Sequence, residues 1–301
     1  MEKKDRRDVL LGCLCALGCE TLFGLSYIFT KQATSHVSAL ALLGWRFLIA
    51  ILVMSLCAIT GIIKVNLKGK KLKPLLMVAL FSPSIYFIGE TVGISYTTAS
   101  ESGSFLASIP VVSLLASTLI LREKPAKKQV AGILVTLAGV FVTVFAVGVA
   151  TSFSVLGYVM LTVAVISYAL YSVFVEKASY YTGAEVTYVM LISGAIIFGI
   201  LAVMEAIVGG TVNTLIKLPF ADKGFLVAIL YQGIGCSVLA FFMSNVAIAK
   251  IGVNRTSSFI GVATVVSIIA GILVLKEHFS IVQMVGAIMI IAGVYIANTK
   301  L

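Results

Sequence analysis

Ten apolar stretches, each about 20 residues long, follow one another along this 301-residue chain, and a helix of that length crosses the ~30 Å hydrocarbon layer of a bilayer. They run Val9 to Thr30, Ser38 to Thr60, Pro74 to Thr97, Glu101 to Leu121, Gln129 to Gly148, Ser154 to Glu176, Ala184 to Val208, Gly224 to Ala249, Thr256 to Leu275 and Ile281 to Asn298. Hydrophobic residues make up 60% of the chain and charged ones 11%, against roughly 45–50% and about 25% in soluble domains. An ordinary soluble globule is excluded. The expected fold class is an all-α polytopic membrane protein with ten transmembrane helices.

The net charge of +10 raises the question of a nucleic-acid partner, but the basic residues sit in short loops between apolar stretches. That placement reads as membrane topology and anionic-lipid contact, so the partner is the lipid bilayer and not nucleic acid. Seventeen Lys and Arg fall on the side of the N-terminus and four on the other, with Arg46 alone inside a span. The positive-inside rule then puts both termini in the cytoplasm of a multi-pass cytoplasmic-membrane protein. The N-terminal apolar run carries Glu20 and no clear small-residue cleavage site, so it reads as a first span and not as a removed signal. Cys13, Cys15, Cys19, Cys57 and Cys236 all lie in spans, where cysteine acts as a small apolar residue. His36 and His278 stand in loops of opposite halves, and the chain carries no zinc-binding His-Glu-x-x-His, nucleophile elbow or phosphate loop. Neither an enzyme nor a bound metal or cofactor is expected.

Glu101 to Val142 recurs 154 positions later, without a gap, as Arg255 to Ile296. Ser104, Phe105, Val111, Val112, Ser113 and Ala116 meet Ser258, Phe259, Val265, Val266, Ser267 and Ala270; Glu123, Gln129, Gly132 and Gly139 meet Glu277, Gln283, Gly286 and Gly293. A period near half the chain length indicates a duplicated half, here residues 1–148 and 154–301, and not a solenoid. Each half has five spans, an odd number, so the two enter the membrane in opposite senses. Inverted repeats are the plan of many secondary transporters, with the substrate site between the halves near the midplane. The competing reading is a duplicated membrane scaffold or sensor with no pathway.

Ile94-Ser95-Tyr96-Thr97-Thr98-Ala99 leads into Ser108-Ile109-Pro110, then Leu121-Arg122-Glu123, then Gln129 with Gly132 and Gly139-Val140. This order resembles the EamA domain of the drug/metabolite transporter superfamily, and Arg46 in Trp45-Arg46-Phe47 resembles the arginine such proteins carry in their second span. The second copy has Thr264 where the first has Pro110. The resemblance implies a ten-helix exporter of amino acids or other small metabolites, with a central cavity between the halves and the fifth and tenth helices peripheral.

Ionisable groups inside a span are costly unless paired or wet, which makes each a functional candidate. Glu20 lies near the middle of the first span. Desolvation there penalises a charged carboxylate, which suits it to exchange a proton against substrate. Its position resembles the membrane glutamate of the small multidrug resistance relatives; in the middle of the sixth span Ile166 and its neighbours offer no second acid. Arg46 and Glu90 lie at similar depth, so they are either a structural ion pair or a contact for a substrate carboxylate. Tyr86, Tyr168 and Tyr171 offer stacking and hydroxyl bonds to a pathway, or mark an interface. Gln232 and Asn245 are polar candidates for the pathway or for helix packing. Gly132 with Gly139, and Gly286 with Gly293, lie seven apart for close helix packing, and Pro83 and Pro110 are expected to interrupt the third and fourth helices. Glu101 reads as a helix cap, Glu205 as a solvated acid near an outer end, and Glu123 and Glu277 as loop residues.

The expectation is a secondary transporter, outward in direction, of a small metabolite such as an amino acid, with no cofactor and with protons as the candidate coupling ion. The alternative is proton-coupled efflux of cationic drugs. Monomer and homodimer stay equally open.

Overall fold

The computed structural model describes residues 6–34, 37–96, 106, 108–122, 124–145, 154–275 and 280–299. All regular structure among them is helical. We number the helices α1 (Arg6–Thr34), α2 (Ala39–Ile59), α3 (Lys73–Ala79, Leu80–Ile85 and Tyr86–Ser95 in succession), α4 (Ile109–Leu121), α5 (Lys127–Phe145), α6 (Val155–Lys177), α7 (Gly183–Val208), α8 (Val212–Ala221), α9 (Lys223–Ile251), α10 (Val253–Ser258), α11 (Ile260–Leu275) and α12 (Ile281–Asn298). Among the described residues seven of these, α1, α2, α3, α6, α7, α9 and α12, are long and apolar enough to cross a membrane, and α4 is a shorter apolar helix.

Local signals start and stop these helices. Ser38 caps α2 by accepting from the Ala41 N–H, Ser154 caps α6 and Asp222 caps α9. Thr182 with Glu185, and Ser280 with Gln283, form reciprocal capping boxes on α7 and α12. Arg122 and Gly252 end α4 and α9 at positive φ.

Two features depart from the sequence reading. The short helix α8, carrying Pro219 and Lys217, fills a connection with no expected element; at ten residues it is too short to register as a span. The ninth span divides at Phe259 into α10 and α11. Pro110 stands in the first turn of α4, directly after the turn at Ser108, where the missing N–H costs no bond. Pro83 does break α3: Leu80–Ile85 is π-helical, with Ser82 at non-helical φ and ψ. Thr97 to Ala99, Glu101, Glu123, Glu277, His36 and His278 lie outside the described residues.

α5 and α12 pack chiefly on each other. An added Cβ on Gly132 would lie 2.6 Å from the Gly293 carbonyl oxygen, and one on Gly139 would lie 2.7 Å from that of Gly286. The glycine stripe therefore brings two backbones together. Gly293→Val is expected to overpack this seam and cost about 1–3 kcal/mol or more, read as a lower Tm and loss of a monodisperse peak. Gly199→Ala, where an added Cβ meets nothing within 4 Å, is the control and should hold or raise Tm.

The remaining helix pairs come in matched sets. α1 packs on α9 and α11, as α6 packs on α3 and α4, and α2 packs on α7. In the last pair Gly44 faces the Phe198 backbone while Gly194 faces the Phe47 ring, and those two rings stack at 5.2 Å.

Candidate functional site

Along the centre of the bundle runs a column of polar side chains carried by α3, α6, α7 and α9. The Tyr86 hydroxyl donates to Glu90 Oε1 at 2.8 Å, one turn further along α3. The Tyr86 ring meets that of Tyr168 edge-on at 5.7 Å, and Tyr168 meets Tyr171 at 5.5 Å. The buried Tyr171 hydroxyl donates to Asn245 Oδ1 at 2.8 Å, and Asn245 Nδ2 donates in turn to Thr187 Oγ1 at 2.9 Å. At 1.5 Å per residue the column extends from about 8 Å short of the α3 C-terminus to about 6 Å past the α7 N-terminus. Five of the eight sequence candidates thus form one connected chain.

Glu20, the central residue of α1, lies beside this column, 5% exposed and within electrostatic reach of Tyr86, Tyr168 and Tyr171. Its carboxylate has no cation within 4 Å among the described residues, and Cys19 Sγ donates to its Oε1 at a long 4.0 Å.

Arg46, 6% exposed, forms a second cluster against the Phe47 and Phe87 rings. Nε donates to Ser237 Oγ at 2.7 Å and an amino nitrogen to Gln232 Oε1 at 3.4 Å, while Gln232 Nε2 donates to Thr30 Oγ1 at 2.9 Å. The guanidinium lies 4.9 Å from the Phe87 ring centroid and 5.6 Å from that of Phe47. The structural ion pair with Glu90 is not made: Glu90 is within electrostatic reach, but no carboxylate comes within 4 Å of Arg46 among the described residues. Equal depth put the two side chains on one level without turning them to each other. Phe87 touches both clusters, meeting Tyr86 edge-on at 5.1 Å as well as the guanidinium, and belongs to a ring cluster with Phe23, Phe47, Phe198 and Phe241, centroids 5.2–6.3 Å apart in successive contacts.

Ser237 escaped the sequence reading for a geometric reason. It follows Gln232 by five residues, a spacing that points away in an α-helix, but Tyr231–Ala240 is π-helical, and i→i+5 bonding swings both side chains toward Arg46. Gly233 lets this stretch approach the Arg46 backbone, since a Cβ there would lie 3.1 Å from its carbonyl oxygen. The signal available was the Gly233-Ile234-Gly235 sequence beside Gln232.

The residues before and after the duplication meet at both ends of the bundle. At the end carrying the α1 N-terminus, Lys70 pairs with Glu185 at 2.7 Å, Lys250 pairs with Asp8, and Ser117 donates to Asn254 Oδ1 at 2.7 Å. At the other end Ser38 donates to the exposed Glu205, and Trp45 Nε1 donates to the Leu215 carbonyl at 3.0 Å.

Among known proteins, the EamA-like transporter family matches this chain twice, at residues 10–145 and 155–299. The uncharacterized transporter YcxC of Bacillus subtilis is 30% identical over 93% of this chain and 90% of its own length. The WAT1-related protein At1g44800 of Arabidopsis thaliana is 23% identical over 89% of this chain and 80% of its own. A protein of known crystal structure superposes with a TM-score of 0.77 at 19% identity, covering 97% of this chain and 98% of the other. That last likeness concerns the fold.

Proposed function

The chain belongs to the EamA-like transporter family and is a multi-pass membrane transporter, and from that premise we propose that it exports a small metabolite bearing a carboxylate, such as an amino acid, by alternating access between two inverted halves. The halves are residues 1–148 and 154–301, with ten spanning helices and both termini in the cytoplasm. The matched packing supports the inversion. Gly132 and Gly286 are duplicates, as are Gly139 and Gly293, and the contacts are crossed, Gly132 to Gly293 and Gly139 to Gly286. Crossed contacts between duplicates are what a two-fold axis between antiparallel helices generates. Polar ties between halves at both ends offer two sets to open in turn.

Arg46 carries the choice of substrate. A buried cation held by two neutral acceptors and two ring faces, with no carboxylate in contact among the described residues, is suited to receive one from a ligand. The polar column of Tyr86, Glu90, Tyr168, Tyr171 and Asn245 then lines the path, and Glu20 exchanges the proton. One observation favours the other reading, proton-coupled efflux of cations: Glu20 and Glu90 flank the Tyr86 and Tyr168 rings, an acid-and-aromatic setting that attracts organic cations.

Counterflow in proteoliposomes, with labelled amino acids and organic cations and with or without a pH gradient, separates the two. Saturable amino-acid exchange is expected. Gradient-driven cation movement alone selects the second reading, and movement of neither class overturns both.

A further inference from the structure

Away from the column, a groove of 630 Å³ opens between α1, α11 and α12, within the range of about 300–1,000 Å³ typical of small-molecule sites. Its floor is apolar, with Val262, Val265 and Val294. Its rim residues Leu17, Ile291 and Tyr295 are 44%, 56% and 71% exposed, so it opens sideways, toward lipid, and shares no residue with the polar column. Along α1 it reaches from Cys13 to Leu17, about 10 to 16 Å past the N-terminal end of the helix, which is the depth of one leaflet.

The mouth is polar. Asn298 on the groove wall donates from Nδ2 to Ser258 Oγ and to the Val294 carbonyl, which leaves its Oδ1 buried with no partner. Arg255 of α10, one turn before the lining residue Phe259 and within electrostatic reach of Cys13, makes no side-chain hydrogen bond or ion pair among the described residues. A basic residue at the mouth of an apolar pocket between spanning helices is the arrangement that holds an anionic lipid headgroup. We propose that this groove is a binding site for one anionic phospholipid. An acyl chain lies along α1, α11 and α12, the phosphate faces Arg255, and a headgroup hydroxyl donates to Asn298 Oδ1.

The test is native mass spectrometry of the full chain, purified in detergent and titrated with phosphatidylglycerol and phosphatidylcholine of equal chain length. Wild type should retain one phosphatidylglycerol with a preference of about fivefold, the scale for one arginine beside an anionic headgroup. Arg255→Gln should retain both lipids equally. Val262→Trp, which fills the floor, should retain neither, and a monodisperse peak identifies the variant as folded. The proposal is overturned if wild type shows no preference, if Arg255→Gln keeps it, or if a folded Val262→Trp retains phosphatidylglycerol undiminished. It is equally overturned if a transported amino acid or cation displaces the lipid, which would make the groove part of the substrate path.

Discussion

Glu20→Gln should yield a folded transporter that no longer responds to a pH gradient. The amide fills the volume of the carboxylate but has no proton to exchange. Folding should survive because Glu20 makes no ion pair among the described residues, so the substitution strands no buried cation there and changes the long Cys19 contact. The size of the effect follows from coupling. One proton moved across one pH unit is worth about 1.4 kcal/mol, or about a tenfold accumulation of substrate, and the variant should lose that factor. Exchange without a gradient should persist, because the residues that form the column remain bonded to one another. Accumulation by Glu20→Gln that still tracks the gradient would remove Glu20 from the mechanism and point to Glu90, the acid at the other end of the Tyr86 bond.

The sequence disclosed what depends on length and spacing. Apolar runs about 20 residues long announce spanning helices, the 154-residue offset announces the duplication, and glycines seven apart announce close helix packing, which the α5–α12 seam realises. Pro83 likewise marked the break in α3. What stayed hidden depends on the direction in which side chains point. In a membrane bundle the lipid face and the packed face are both apolar, so hydrophobic patterning does not select Phe23, Phe47, Phe87, Phe198 and Phe241 from the 17 phenylalanines as the central cluster. Tyr171 and Asn245 were named separately, but the bond that joins α6 to α9 depends on a helix pairing between residues 74 positions apart. Depth left Arg46 open between Glu90 and a substrate, and its partner Ser237 depends on the same facing of helices, compounded by the π-helical stretch that brings it round.

That geometry makes Arg46 the sharper test of substrate. Arg46→Gln retains a side chain able to bond Ser237 and Gln232 while removing the charge. If the guanidinium receives a substrate carboxylate, the lost charge-assisted bond is worth about 1.5–3 kcal/mol, and the KM for amino acids should rise by about 10- to 150-fold. The decarboxylated amine of the same side chain never makes that bond, and its transport should hold or improve as repulsion from the buried cation is relieved. Arg46→Lys keeps the charge but not the planar fork over Phe87, so its KM should fall between the two. A structural role predicts a different pattern, in which Arg46→Gln lowers Tm and depresses amino-acid and amine transport together, since the Ser237 and Gln232 contacts tie α2 to α9 whatever is carried. An unchanged amino-acid KM in a folded Arg46→Gln would move the carboxylate elsewhere. The acid-and-tyrosine column would then stand as a site for cations.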